Sequence, residues 1–313
     1  MVMAYKACEK RWKHATNEDL THDLALLDPR NLSKEQQAKV QQIGSWKWDS
    51  MDEERPVLSF NGYGTPLRGF CVIPNALDAK TQLQLARACL TEFTEEPHVT
   101  NMHLQNQGVV DIWHKARDSH PQDPAASPLL SKLCWAVSGY HYDWTARKYH
   151  KESFSPVPEL LQQLGARSAA ACGMTLTAEA VIVNYYKTKS SMGGHRDDVE
   201  YTMDYPVVSV SLGCRCVFLM GGHRKDDPPL ELLLQSGDIV IMGGESRTCY
   251  HGVARILPTP FNIASEDFDT LFDDEEDRKE YEAVQRYLNS QRININVRQV
   301  YPTDLSTDLV TGK

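Results

Sequence analysis

Arg292-Ile293-Asn294-Ile295-Asn296-Val297-Arg298 alternates polar and apolar residues without a break. A strand repeats its side chains every two residues. Arg292, Asn294, Asn296 and Arg298 therefore share one face, and Ile293, Ile295 and Val297 the other. The plain reading is an edge strand with one wet face. The sharper reading is a strand lining a polar cavity, its guanidinium groups set to grip carboxylates in forked geometry.

Upstream, short strand patterns recur at Glu179–Tyr186, Pro206–Leu212, Cys216–Met220, Leu230–Leu234 and Ile239–Met242, and Arg292–Val300 closes the series. Gly221-Gly222, Ser236-Gly237-Asp238 and Gly243-Gly244 punctuate them as turns. Such spacing predicts a sandwich or barrel. Before residue 175 helices alternate with loops, with a strand expected at Gly69–Pro74 and a loop-rich stretch over 97–128. Ser33 and Asp78 are N-caps, Leu83, Ala86, Leu90 and Phe93 form one apolar face, and Glu159–Ala171 stops at Gly173. Helices first and strands after predict α+β, not a doubly wound sheet. The expected organisation is an N-terminal helical extension over 1–56 and the first part of a catalytic domain, with a lid, over 57–174. A strand-rich core follows over 175–303, interrupted by an acidic insertion at 264–282, with a tail over 304–313.

The chain has 313 residues, 41% hydrophobic and 24% charged, enough to bury a core without disulfides. It has no apolar run of the ~20 residues a membrane span needs and no visible secretory signal. The eight cysteines form no C-x-x-C pair, so reduced thiols in an intracellular protein are expected. Compartment is open among nucleus, cytoplasm and mitochondrion. Residues 265–282 carry −8 of the net −9. Small basic clusters stand elsewhere: Lys10, Arg11 and Lys13; Arg147, Lys148 and Lys151; Lys187 and Lys189; Arg224 and Lys225. The overall charge neither supports nor excludes a polyanionic partner.

His195-Arg196-Asp197 would place an imidazole and a carboxylate on one face of a strand. A return strand after the Gly243-Gly244 turn can bring His251 beside them. Two His and one carboxylate with open positions suit a non-haem Fe(II) oxygenase. His-x-Asp alone is cheap, since His141-Tyr142-Asp143 repeats it. The strand with two arginines adds weight: a dicarboxylate such as 2-oxoglutarate needs a cation for its distal carboxylate. Asn184 and Tyr186 share a face and suit hydrogen bonds to such a co-substrate.

Asn184-x-Tyr186, His195-x-Asp197, His251 and Arg292-x-Asn294-x-x-x-Arg298 together resemble the AlkB family of Fe(II)- and 2-oxoglutarate-dependent dioxygenases. Pro206–Gly213 and Ser236–Arg247 match between them. The pieces Gly69–Asn75, Trp135–Trp144 and Ala169–Gly173 are similar to the AlkB homologue 1 branch. The resemblance implies a double-stranded β-helix, iron on His195, Asp197 and His251, and 2-oxoglutarate on Asn184, Tyr186, Arg292, Asn294 and Arg298, with Arg292 on the distal carboxylate. It implies dioxygen as oxidant and oxidation of a methyl group, which on nitrogen ends in formaldehyde and a bare base. It places His141 and Asp143 in a lid, as packing residues. A base must be extruded to reach the iron. The substrate candidates are Tyr140, Tyr142, Trp144, Arg147 and Lys148 in the lid, and Val199, Glu200 and Met242 near the metal. Val199 and Met242 stand where the bacterial member has an acidic residue and a Trp, which turns the expectation away from repair of alkylated DNA. Transfer RNA is the first expected substrate, through 1-methyladenine demethylation or 5-methylcytosine oxidation, and unpaired DNA carrying N6-methyladenine the second. A protein demethylase on the same scaffold, histone included, and a non-catalytic metal-binding module are the rivals.

Overall fold

The computed structural model describes residues 3–15, 26–104, 109–261, 271–272 and 274–303. Its strands are β1 (Gln41–Trp46), β2 (Arg55–Ser59), β3 (Phe70–Ile73), β4 (Val99–Thr100), β5 (Trp135–Asp143), β6 (Lys148–Ser155), β7 (Ala180–Lys187), β8 (Met192–His195), β9 (Val207–Gly213), β10 (Arg215–Met220), β11 (Leu230–Leu234), β12 (Ile239–Met242), β13 (His251–Leu257) and β14 (Gln291–Arg298). They pair antiparallel in two sheets. The larger is ordered β1-β2-β3-β12-β9-β14-β7-β5-β4, with β6 joined to β5. The smaller is β11-β10-β13-β8. Antiparallel sheets with helices interspersed along the chain make an α+β architecture, although six strands, β1 to β6, lie before residue 175.

The alternation in β14 decides which side of the large sheet is polar. Ile293, Ile295 and Val297 enter a core with Val181, Val183, Val208 and Val210. The helices Ala79–Thr91, Glu159–Ala171 and Glu275–Leu288 cover that face with residues such as Leu83, Leu164 and Val284. On the other face Phe70, Val72, Val240 and Met242 meet Phe218, Met220, Leu232 and Val253 of the small sheet. The polar side of β14 therefore opens between the sheets. Local signals hold as read. Asp78 accepts a hydrogen bond from the Thr81 amide at 2.9 Å, Ser33 and Gln36 form a capping box, and Gly173 takes φ +71°.

Two expectations change. Residues 1–56 are not a helical extension. β1 and β2 lie within or across that boundary, and the aligned rings of Trp46 and Trp48, with centroids 5.9 Å apart, tie β1 to the core. Strand pairing and aromatic burial override a polar local sequence. The helix Ala4–His14 is built into the fold: its Tyr5 and Trp12 pack on Val217, Leu219, Ala254 and Leu257, on the outside of the small sheet. The acidic stretch is no insertion over its second half. Residues 262–270 and 273 lie outside the described residues, as does the 304–313 tail. Glu275–Leu288 is a helix capped by Asp274, with Tyr281, Val284, Tyr287 and Leu288 buried. Even one of its acids, Glu280, is buried and binds the Trp113 indole N–H and Arg117. Among the described residues no helix is long and apolar enough to cross a membrane.

Candidate active site

Register sets the polar wall. β14 pairs with β7 so that Arg292 faces Tyr186 and Asn294 faces Asn184. It pairs with β9 on the other side, with Asn294 opposite Ser211 and Asn296 opposite Ser209. These residues, except Ser211, line one cavity of about 130 Å³, together with His195, Asp197, His251, Met242 and Arg298. Each sequence candidate for metal or co-substrate therefore reaches one space.

His195 and His251 are direct partners across β8 and β13, with ring centroids 4.4 Å apart. β8 ends at His195, so strand alternation is not what brings Asp197 in. Asp197 sits just past the strand end, and its carboxylate lies 3.9 Å from His195 Nε2 and 3.8 Å from His251 Nε2. The three ligand atoms fall within 4.8 Å of one another. His195 Nδ1 donates to the Gly193 carbonyl at 3.0 Å, and His251 Nδ1 to the Cys249 carbonyl at 3.2 Å. Each bond puts the proton on Nδ1 and leaves the Nε2 lone pair facing Asp197, as a metal-ligating histidine requires. Burial, against the raising pull of Asp197, pushes the His251 imidazole down to about 4. It is neutral near pH 7 and available as a ligand. Burial alone would raise the Asp197 carboxyl. Arg298, with His251, His195 and Arg247, outweighs it and holds the group well below the usual carboxylate range.

The two arginines of β14 differ. Arg298 reaches Asp197 at 3.1 Å and Glu200 at 2.8 Å. Its terminal nitrogens brace Asp197 and Glu200, while its Nε has no partner and its side chain lines the same cavity. Arg292 is 1% exposed. It donates to Ser211 Oγ at 2.8 Å and to the Cys214 carbonyl at 3.4 Å, its Nε has no partner, and it has no ion pair among the described residues. A buried, uncompensated cation costs several kcal/mol unless an anion completes it. A bound carboxylate fits this cavity on that ground. Two neutral imidazole nitrogens and one ionised carboxylate oxygen likewise fit a divalent metal. Asn294 is oriented by Ser209 Oγ and the Val210 carbonyl, and Asn296 donates to Asn294 at 3.0 Å.

A second hollow of about 250 Å³ shares Trp144, His195, Asp197 and Arg298 with the first, and adds Tyr142, Arg147, Arg196 and Val199. Four of the substrate candidates therefore stand at the mouth: Tyr142, Trp144, Arg147 and Val199. Arg196 joins them, its guanidinium 5.3 Å over the Tyr250 ring. Met242 lies deeper, in the inner cavity wall. Two candidates are misplaced. Tyr140 is buried and packs edge-on against Phe154 and Tyr301, where it fills a core. Glu200 is buried between Arg298 and Arg247, at 2.8 and 3.0 Å, and cannot touch a substrate. Lys148 faces a separate groove. His141 bonds Ser155, and Asp143 caps the Thr145 and Ala146 amides, so the second His-x-Asp copy is structural.

Sequence reading gave Arg247 no role. It donates to the Asp197 and Tyr205 carbonyls as well as to Glu200. Asp197, Arg298, Glu200 and Arg247 thus form one buried charge chain behind the metal ligands. Tyr5 was missed too. Its ring lies so close to Gly194 that a Cβ there would sit 2.5 Å from it, which seats the His195 backbone against the N-terminal helix. The i, i+3, i+7 spacing of Tyr5, Cys8 and Trp12 was the available signal.

A family model described as the 2OG-Fe(II) oxygenase superfamily matches residues 69–298. The chain is 34% identical over 264 residues to the DNA N(6)-methyladenine demethylase ALKBH1A of Arabidopsis thaliana, covering 74% of this chain and 75% of that one. It is 33% identical over 269 residues to the nucleic acid dioxygenase ALKBH1 of Homo sapiens, covering 80% and 69%. The tRNA demethylase abh1 of Schizosaccharomyces pombe is 28% identical, over 94% of this chain and 95% of its own. A solved structure titled OsALKBH1 superposes with a TM-score of 0.50 at 22% identity, over 74% of this chain and 96% of that chain.

Proposed function

Because this chain belongs to the 2OG-Fe(II) oxygenase superfamily, we propose that it is a nucleic-acid dioxygenase that removes or oxidises methyl groups on bases, with transfer RNA the first substrate and unpaired DNA the second. The scaffold reads as a double-stranded β-helix: β7, β14, β9 and β12 face β8, β13, β10 and β11, and the chain crosses between the two sheets at nearly every connection.

His195, Asp197 and His251 would hold Fe(II). Arg292, with Tyr186, Asn184 and Asn294 beside it, would hold 2-oxoglutarate by its distal carboxylate. When bound, the pair supplies oxidation of a C–H bond by dioxygen, with succinate and carbon dioxide as co-products. The residues do the rest. The two Nδ1 bonds fix both imidazoles as neutral Nε2 ligands. Arg298 keeps Asp197 ionised and turned inward. Arg292, with one open face, would anchor the co-substrate by its distal carboxylate. Trp144 and Tyr142 at the mouth offer ring faces to an extruded base, and Arg147 and Arg196 meet phosphate. Oxidation of an N-methyl would give an N-hydroxymethyl; its C–N bond then breaks, formaldehyde leaves, and the hydroxyl proton passes to the nitrogen or to solvent.

The observation that carries this reading is Arg292: a buried guanidinium without a carboxylate, opening into the cavity that also holds the metal-binding triad. The activities for which the relatives are named, on DNA and on tRNA, support nucleic acid over protein. Mass spectrometry of nucleosides from tRNA and single-stranded DNA treated with the protein, Fe(II) and 2-oxoglutarate tests it. Loss of 1-methyladenine, or gain of oxidised 5-methylcytosine, is expected. A modified histone peptide with unmodified nucleosides would replace this reading by the protein-demethylase one.

A further inference from the structure

The outer hollow has a neighbour. On the far side of Tyr149 runs an open groove of about 540 Å³, lined by Lys148, Tyr149, His150, Lys151, Tyr201 and Tyr301. Tyr149 is a wall of both. One buried side chain therefore separates the groove from the space that contains His195 and Asp197. The groove follows β6, which pairs only with β5.

Two features make it a place for a planar, anionic ligand. The first is a built aromatic step. Tyr301 is 3% exposed and stacks on Tyr201 at 4.9 Å with an interplanar angle of 12°. Tyr201 is tied to the Tyr149 carbonyl through its hydroxyl at 3.3 Å, yet remains 56% exposed. Its ring is thus fixed from behind and open in front, as a stacking surface needs. The second is charge. Lys148 and Lys151 flank the step, with the Lys151 ammonium 5.0 Å from the Tyr301 ring, and Arg147 stands at the adjoining hollow. Glu152 is the opposing charge on this wall, and it pairs with His150 at 3.4 Å.

Exposed aromatics are concentrated here. Among the described residues Trp144, Phe154 and Tyr201 are the exposed aromatic side chains. Trp144 and Phe154 belong to the β5–β6 hairpin region, and Tyr201 lies against it. Clustered exposed rings beside lysines are the make-up of a single-strand nucleic-acid track, where bases stack and cations follow the backbone.

Resting on the reading of the active site as a base oxidase, we infer that this groove is a second nucleotide subsite. It takes the base next to the extruded target on Tyr201, and the connecting phosphate on Lys148 and Lys151. Tyr149 is the partition between the two bases.

The test is fluorescence anisotropy of the Fe(II)-loaded full chain with a labelled short single-stranded RNA carrying one 1-methyladenine, titrated across salt, with nucleoside mass spectrometry and RNA-free succinate release alongside. Tyr201→Ala should weaken binding by roughly 5- to 150-fold, the equivalent of one base stack of about 1–3 kcal/mol, and Tyr201→Phe should bind like wild type. Lys151→Ala should lower the salt slope by about 0.7, one single-strand phosphate. RNA-free succinate release should be unchanged in all three. Wild-type affinity and salt slope in Tyr201→Ala and Lys151→Ala, with methyl removal intact in the wild type, would overturn the groove and leave the active-site reading standing. Binding lowered by Tyr201→Ala in a wild type that oxidises no base would keep the groove and remove that reading. A Tyr201→Ala defect seen with a methylated histone peptide and not with RNA would overturn the nucleotide assignment in favour of a peptide added along β6.

Discussion

Arg292 and Glu200 show what one side chain contributes and how differently each could be foreseen. Period two in 292–298 placed Arg292 on the polar face, and the register with β7 and β9 carries it into the cavity. Truncating one partner of a buried charge pair costs about 2–5 kcal/mol. Arg292→Ala should therefore weaken 2-oxoglutarate binding by roughly 30- to several-thousand-fold at about 1.4 kcal/mol per decade, with Fe(II) binding retained. Calorimetric titration of co-substrate checks it, and an unchanged affinity removes Arg292 from the site. Glu200 reads as a substrate contact because it adjoins Val199, the position where the bacterial member of the family has an acidic residue. Sequence spacing could not show that Arg247 and Arg298 close on it from two other elements. It is a positioning residue, acting on Asp197 through Arg298. Glu200→Gln leaves two buried guanidiniums short of charge, so a stability loss of about 3–5 kcal/mol is expected. Fe(II) affinity should also fall by roughly 10- to 100-fold, as for other outer partners of metal ligands. Thermal unfolding and Fe(II) titration read the two effects separately.

At the scale of elements, strands whose apolar residues alternate or run together were legible, and those made by pairing were not. β11 and β12 match their expected bounds, and β7, β9, β10 and β14 lie within two residues of theirs. β1 is polar, and β8 is Met192-Gly193-Gly194-His195, which carries no alternation at all. β8 exists because β13 pairs with it on one side of the small sheet and Tyr5 packs on Gly194. That makes the helix Ala4–His14 a support of the metal site. Trp12 is fully buried, and Trp12→Ala should cost about 3–5 kcal/mol. Its midpoint of denaturation and its succinate release should fall together. Full activity with a lowered midpoint would show that the helix stabilises the sheet without holding His195. The β5–β6 hairpin is the other element with a functional load. Arg147, at φ +53° in its turn, lines the outer hollow. Arg147→Glu should weaken RNA binding and reduce the salt slope by about 0.7 or more, while uncoupled co-substrate turnover stays level. Unchanged affinity and slope would take the hairpin turn off the nucleic-acid path.

For the whole molecule, charge is partitioned across the large sheet. The helix Glu275–Leu288, with five acids against three basic residues, packs on the helical side of that sheet, whereas Arg147, Lys148 and Lys151 gather on the hairpin and mouth side, beside Asp143, Glu152 and the Arg196–Asp198 pair. A net charge of −9 is thus compatible with a polyanionic substrate, which the overall sum concealed. The central claim is that a metal and a dicarboxylate meet in one cavity between the two sheets. Adding Fe(II) and 2-oxoglutarate together to the protein under anaerobic conditions tests it through the visible metal-to-ligand charge-transfer band that forms only when the keto acid chelates the metal. The band should appear with the wild-type chain, vanish in His251→Ala, and demand far more 2-oxoglutarate in Arg292→Ala. No band in the wild type, or an undiminished band in His251→Ala, would contradict it.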